Sequence, residues 1–415
     1  MSPMVFPVSQ RPIWGNPLLT LVSVILLSLN CTKSAPAQTA RTAPAPTVRD
    51  AATVLAAGDL KQAETELQSI LKTAPMDVHA LNLLGIVRVQ QKRDREAETL
   101  FQQAVELQPE FAGAQASLGL LYVQMAKNDL AIPHLREALR LDPGREEVRA
   151  ALISVWRDQA RIAAQRDELE KALALLIEAR QLNPNQRDVQ YDLGMVALRM
   201  SLFADAIDAF RQALKLRADD PQALYGLGRA QLATAKFDDA QPSFERYVQL
   251  RPADASGHYA LGLALEALQR TAEARAEYEK SIALQPQQTE SYFHWGSMDL
   301  DAGNLGAAQE KFERVLGRAP LHAGALTGMG QVKFQEKKYT EAADLLEKAI
   351  AVQPRLRQSH YYLGLVDARL GRKEDSEKEL QIASQIEHEE AEKHQNVLRV
   401  LDPDQVHVPE PSPRQ

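Results

Sequence analysis

The chain has 415 residues, of which 45% are hydrophobic, 6% aromatic and 25% charged, with a formal net charge of −7 at pH 7. Its 48 basic residues are mixed with 55 acidic ones, so there is no basic block to track a phosphate backbone and no nucleic acid is expected as a partner. The single cysteine, Cys31, excludes an intramolecular disulfide and any metal site built on cysteines, so stability must come from packing.

Leu18 to Leu29 is an unbroken run of Leu, Val, Ile, Ser and Thr. At 1.5 Å per residue it spans about 18 Å, short of the ~30 Å hydrocarbon core of a bilayer. With Arg11 upstream, residues 1–31 read as a signal peptide, and the protein is expected to be exported, either periplasmic or membrane-tethered. Two processing routes stay open. Ala35-Pro36-Ala37 supplies the small residues for cleavage after Ala37. Cys31 stands where a bacterial lipoprotein carries its acylated cysteine, although Asn30 occupies the preceding slot where Gly, Ala or Ser is expected. Membrane contact is expected only through this signal or a lipid on Cys31. Residues 32–46, rich in Ala, Pro and Thr, cannot bury enough surface to order themselves and read as a disordered tether.

A repeat follows. Prolines fall at Pro75, Pro109 and Pro143, each 34 residues apart; Pro184 comes after 41, and Pro252, Pro286, Pro320 and Pro354 resume the 34-residue spacing, with Ala218 in the one missing slot. Ten residues after these positions stand Gly85, Gly119, Gly194, Gly228, Gly262, Gly296, Gly330 and Gly364. Only 20 residues of the whole chain are Gly, so this register is not accidental. Twelve residues further on come Ala97, Ala131, Ala206, Ala240, Ala274, Ala308 and Ala342. Gly lets the first helix of a pair come close to the second, and the matching Ala removes bulk from the facing helix. Leu84, Leu227, Trp295 or Met329 precedes the Gly, and Phe101, Phe210, Phe244, Tyr278 or Phe312 fills the core from the second helix. Proline stops that helix. Gly58-Asp59, Asn128-Asp129, Asp238-Asp239 and Gly303-Asn304 read as the turns between paired helices.

These residues closely resemble the tetratricopeptide-repeat (TPR) family. The resemblance implies an all-α, right-handed superhelical solenoid of about ten helix-turn-helix units, within residues 47–390. The units are 44–77, 78–111, 112–145, 146–186, 187–220, 221–254, 255–288, 289–322, 323–356 and 357–390. The seven extra residues of the fourth amount to about two helical turns, so a lengthened helix is expected between Ile153 and Leu169. The first unit has Ala51 at the Gly slot. The last has His388 in place of proline, so its final helix is expected to run on, with 391–401 as a capping helix and 402–415 as a disordered tail.

In this family the first helices line the concave face. Three residues before the Gly stand Tyr191, Tyr225, Tyr259, Phe293, Thr327 and Tyr361, whereas the N-terminal units have Asn82, Ala116 and Ala150 there. Aromatic rings anchor interfaces because they bury much area for few rotatable bonds; the same rings also serve packing, and both readings stand. Met195, Arg199, Arg229, Glu266, Ser297, Asp301 and Gln331 are neighbouring candidates. The Lys and Asn slots of the family's carboxylate-clamp members are occupied by other residues here, so that activity does not carry over.

The sequence contains no phosphate-binding glycine loop, nucleophile elbow or zincin motif, and its histidines are scattered. No catalytic residue, metal or cofactor is expected. The expected function is non-catalytic: an extracytoplasmic scaffold that holds a protein or peptide partner in its concave groove through Tyr191, Tyr225, Arg229, Tyr259, Phe293 and Tyr361. A structural subunit of an envelope assembly or export complex, binding through its convex face or ends, is the alternative. An enzyme would need convergent acidic or histidine side chains that the sequence does not offer.

Overall fold

The computed structural model describes residues 46–401, so the signal peptide, almost all of the tether and the tail lie outside the described residues. Among the described residues there are twenty α-helices and no strand. In chain order, the paired helices are α1 (Val48–Ala56) and α2 (Leu60–Thr73), α3 (Val78–Gln90) and α4 (Asp94–Leu107), α5 (Ala112–Gln124) and α6 (Asn128–Leu141), and α7 (Glu146–Gln165) and α8 (Leu169–Leu182). Then come α9 (Arg187–Arg199) and α10 (Phe203–Leu216), α11 (Pro221–Ala233) and α12 (Phe237–Leu250), and α13 (Ala255–Ala267) and α14 (Thr271–Leu284). The last pairs are α15 (Thr289–Asp301) and α16 (Leu305–Leu316), α17 (Ala323–Gln335) and α18 (Tyr339–Val352), and α19 (Arg357–Leu370) and α20 (Lys373–Leu401). Twenty helices match in number the ten units expected from the sequence. They fall into two compact bodies, one ending at Leu202 and one beginning at Phe203; within each, consecutive helices pack on one another.

The turn inside each pair has a fixed backbone requirement. One residue takes a left-handed conformation at the same slot every time: Gly58, Gly303 and Gly371 in three pairs, but Lys92, Ala126, Asp167, Ser201, Ala235, Gln269 and Lys337 in the others. The turns are thus Met125–Lys127 and Thr234–Lys236, and the pairs Asn128-Asp129 and Asp238-Asp239 lie in the first turns of α6 and α12 instead. Acidic side chains there complement the positive end of the helix dipole.

The core is built from the second helix inward. Phe101, Phe210, Phe244, Tyr278 and Phe312 are fully buried. Gly85, Gly228, Gly262 and Gly296 of the periodic slot face such a ring rather than the Ala, and Gly119, Gly330 and Gly364 face a Leu: a Cβ on Gly262 would lie 2.5 Å from Tyr278 Cε1, and one on Gly228 2.6 Å from Phe244 Cζ. Glycine therefore makes room for the ring. Four of the pairs are tied to the preceding one through a Gln or His at the fourth residue of the first helix. Gln115 Nε2 and Gln190 Nε2 each donate to the carbonyl of the proline six residues earlier, Pro109 and Pro184, at 2.9 Å. His258 and His360 do the same with Nε2, to Pro252 and Pro354, at 3.1 and 2.9 Å. The other side of three of these residues meets the second helix nineteen residues on: Gln115 Oε1 lies 2.8 Å from His134 Nδ1, His258 Nδ1 2.6 Å from Glu277 Oε2, and His360 Nδ1 2.5 Å from Glu379 Oε2. This latch recurs with different chemistry.

Two helices depart from the common length. The seven extra residues of the fourth repeat lengthen α7, which has 20 residues where most first helices have 13, and which ends at Gln165. The last helix, α20, runs 29 residues to Leu401. No helix among the described residues is long and apolar enough to cross a membrane.

Candidate functional site

In the C-terminal body, α11, α13 and α15 present Tyr225, Tyr259 and Phe293 at equivalent positions, all half-buried. Each ring leans on the core ring of its own repeat: Tyr225 on Phe244 at 5.8 Å between centroids, Tyr259 on Tyr278 at 6.1 Å, and Phe293 on Phe312 at 6.3 Å. Tyr225 also touches Tyr247 at 5.0 Å, and Phe293 touches His322 at 4.9 Å. The ring of Phe293 reaches the next repeat at Gly324, where a Cβ would come within 2.7 Å of it. Each ring is packed against its core neighbour and stays partly open to solvent.

The row does not continue evenly. Thr327 is buried, its hydroxyl donating to the Ala323 carbonyl at 2.8 Å and sharing a hydrogen bond with Ser359 Oγ at 2.7 Å. Tyr361, one repeat on, is 43% exposed and packs edge-on against Tyr362 at 5.4 Å. Tyr191 belongs to the N-terminal body, half-buried on α9 with the Arg187 guanidinium 4.9 Å from its ring. Arg229 is half-buried on α11, one turn after Tyr225.

Polar partners thread between the rings. Glu266, from the last turn of α13, accepts from the Tyr278 hydroxyl and lies 3.0 Å from His294 Nδ1 on α15. Burial works against charge on Glu266, yet the bonds from His294 and Tyr278 outweigh it and hold the carboxyl below its usual range. Glu290 is held low chiefly by its contact with His322, whose Nε2 is 3.4 Å away. Burial, with Glu290 and Glu266 adding to it, pushes the Tyr259 hydroxyl up, so this phenol stays neutral and available as a donor. Burial and the nearby Glu266 also raise the Asp301 carboxyl. The surface around the rings therefore carries three carboxylates and several hydroxyl or imidazole donors, but nothing arranged as nucleophile and base. Among the described residues no group of three or more His, Cys, Asp or Glu could hold a metal ion.

Other neighbouring candidates are engaged in structure. Gln331 is buried. Arg199 clamps the preceding turn, through Ala164 O at 2.6 Å and Asp167 Oδ1 at 3.0 Å. Ser297 Oγ donates to the Phe293 carbonyl at 3.1 Å. Sequence reasoning missed the joining of Tyr278, Glu266 and His294, and of Glu290 with His322. The available signal was an ionisable residue at the twelfth position of α13, Glu266, and at the second and sixth of α15, Glu290 and His294.

Residues 30–294 match the family model described as the C-terminal domain of cilia and flagella-associated protein 70, and residues 295–355 and 327–385 match the tetratricopeptide-repeat model. No curated protein matches the chain. Among solved structures, MamA from residue 41 onward, from Desulfovibrio magneticus RS-1, is 25% identical over 41% of this chain and 96% of that one, with a TM-score of 0.40. A tetratricopeptide-repeat protein from Parabacteroides merdae is 15% identical over 61% of this chain and 98% of that one, with a TM-score of 0.42. A chain of the APC/C Cut9–Hcn1 hetero-tetramer is 13% identical over 89% of this chain and 96% of that one, with a TM-score of 0.46.

Proposed function

The chain belongs to the tetratricopeptide-repeat family, and on that premise we propose that it is a non-catalytic, extracytoplasmic scaffold that holds a segment of a partner protein against the first helices of its C-terminal body. The observation that carries this reading is the row Tyr225, Tyr259 and Phe293. Its rings are fixed from behind by Phe244, Tyr278 and Phe312 while remaining only half-buried. Rings held this way lose little entropy on binding, which is what makes an aromatic residue an effective anchor. The carboxylates Glu266, Glu290 and Asp301 beside them favour a segment that carries a cation next to its apolar side chains. The signal-like N-terminus supports an extracytoplasmic address, with either a cleaved form or one tethered through Cys31.

The test is affinity capture from the native envelope fraction with wild type and with a Tyr225→Ala, Tyr259→Ala, Phe293→Ala variant whose folding is checked by circular dichroism. Anchors of this kind are worth about 2 kcal/mol or more each, so the expected outcome is loss of a partner that wild type retains. Equal capture by both proteins would assign the rings to packing and move the function to another surface.

A further inference from the structure

The lengthened α7 creates a second, separate surface in the N-terminal body. A cavity of about 660 Å³ lies among the start of α6, the end of α7 and the start of α8. Its α7 side is formed by Gln159, Ile162, Ala163 and the following Arg166. A first helix of the common 13 residues starting at Glu146 would stop at Asp158, so every one of these residues belongs to the inserted turns or to their cap. The opposite wall is the first two turns of α6, with Leu130, Ile132 and Pro133. Pro133 has no N–H to give to the Asp129 carbonyl one turn earlier. An insertion that only lengthened a helix has thus roofed a neighbouring helix terminus without filling the space beneath.

The residues of that space differ from their counterparts elsewhere in this same chain. The residue directly before the small side chain of the second helix is acidic in six repeats: Glu96, Asp205, Asp239, Glu273, Glu341 and Asp375. It is Gln62 and Ala307 in two others, and Leu130 and Lys171 in the two repeats that wall the cavity. Leu130 is 49% exposed and Ile162 40%, an aliphatic pair facing solvent from both walls. Three cations line the cavity with them. Lys127 is occupied by Glu98 at 3.1 Å and Lys171 by Glu168 at 3.2 Å. The exposed Arg166 has no side-chain partner among the described residues. Of the two carboxylates present, Asp129 is bound by Gln159 Nε2 at 2.8 Å and Glu168 by Lys171. The charge left to answer is the guanidinium.

We infer that this cavity is a docking site for an acidic protein segment, which seats an aliphatic side chain between Leu130 and Ile162 and places a carboxylate on Arg166. Arg suits such a contact because its planar fork takes a carboxylate through two parallel bonds. The site is independent of the aromatic row, which lies in the other body, and does not need that row to bind anything.

The experiment is selection of short random peptides displayed on phage against the full chain, followed by fluorescence anisotropy with the synthetic winning peptides. Four proteins are compared: wild type, Arg166→Glu, Ile162→Asp and the Tyr225, Tyr259, Phe293 triple alanine variant. Both cavity substitutions are at exposed positions, and circular dichroism verifies the fold. The expected result is a class of peptides with Asp or Glu next to Leu, Ile, Val or Met. This class keeps its affinity for the triple variant and loses about tenfold or more with Arg166→Glu and with Ile162→Asp. Selected peptides that bind Arg166→Glu as well as wild type overturn the proposal, as do cavity-dependent peptides that are basic.

Discussion

Replacing His258 by Gln tests the latch that ties its repeat to the one before it. The imidazole lies between two oxygens, the Pro252 carbonyl at 3.1 Å and Glu277 Oε2 at 2.6 Å. Gln115 and Gln190 show that a carboxamide reaches the proline carbonyl equally well, at 2.9 Å. The His258→Gln variant therefore keeps that bond but turns its amide oxygen toward Glu277, which stays anchored by Lys280 at 2.7 Å. Two acceptors facing each other in a buried site cost about 1–3 kcal/mol. Glu277→His alone costs a similar amount, because the native histidine then loses its carboxylate. Together the two substitutions reproduce the pairing of Gln115 with His134, and the double variant is expected to return to within about 1 kcal/mol of wild type. That leaves a coupling of about 1–6 kcal/mol, the sum of the two single costs less what the double variant retains. Urea unfolding midpoints followed by circular dichroism rank the four proteins. The reasoning fails if His258→Gln matches wild type, or if the double variant is no more stable than the weaker single.

Two further outcomes follow from the backbone and from the carboxylates. Ala235 occupies the left-handed turn slot at φ 54° that Gly303 fills elsewhere, so Ala235→Gly should raise stability by about 0.5–1 kcal/mol; a fall in the unfolding midpoint would contradict that account of the turn. The folded value of Glu266 is depressed below 4.5, so its contribution is present above that pH and is lost as pH falls through the folded value. Thermal melts of wild type and Glu266→Gln should therefore differ most near neutral pH and converge in acid, and a gap that widens on acidification would refute the assignment.

The repeat register was legible because packing imposes the same demand each time. A ring at the second-helix core position needs a residue without Cβ opposite it, as Gly262 and Tyr278 show, and proline must stop the chain before the next pair. The turn was not legible to the residue. Ala126 and Ala235 carry no compositional mark of a left-handed conformation, whereas Asn128-Asp129 and Asp238-Asp239 do look like turns and are helix starts. The rings of the candidate site could be read from spacing, since Tyr225, Tyr259 and Phe293 recur at 34 residues. Their polar company could not. Glu266 meets Tyr278 across 12 residues and His294 across 28, separations that neither helical nor repeat periodicity brings out. The insertion was visible as a longer helix, but the cavity depends on what that helix overhangs.

A repeat array offers its own control for separating scaffold from specificity. In the four repeats with Gln or His at the latch position the bond to the proline carbonyl persists while the side chain changes, which marks a geometry kept while the chemistry varies. The opposite pattern marks a position released from the scaffold. The residue before the buried small side chain is acidic in most repeats, which favours the helix dipole at little cost. Leu130 and Lys171 give up that contribution in two repeats that face one cavity. An exposed aliphatic side chain there adds nothing to the fold that an acidic one would not add better. A departure that costs local stability, occurs on both walls of one space and coincides with an insertion is therefore better explained by a ligand than by packing. The same comparison applied to the aromatic slot is more even-handed. Tyr225, Tyr259 and Phe293 each have a core ring to lean on, so a packing gain exists for them that Leu130 lacks.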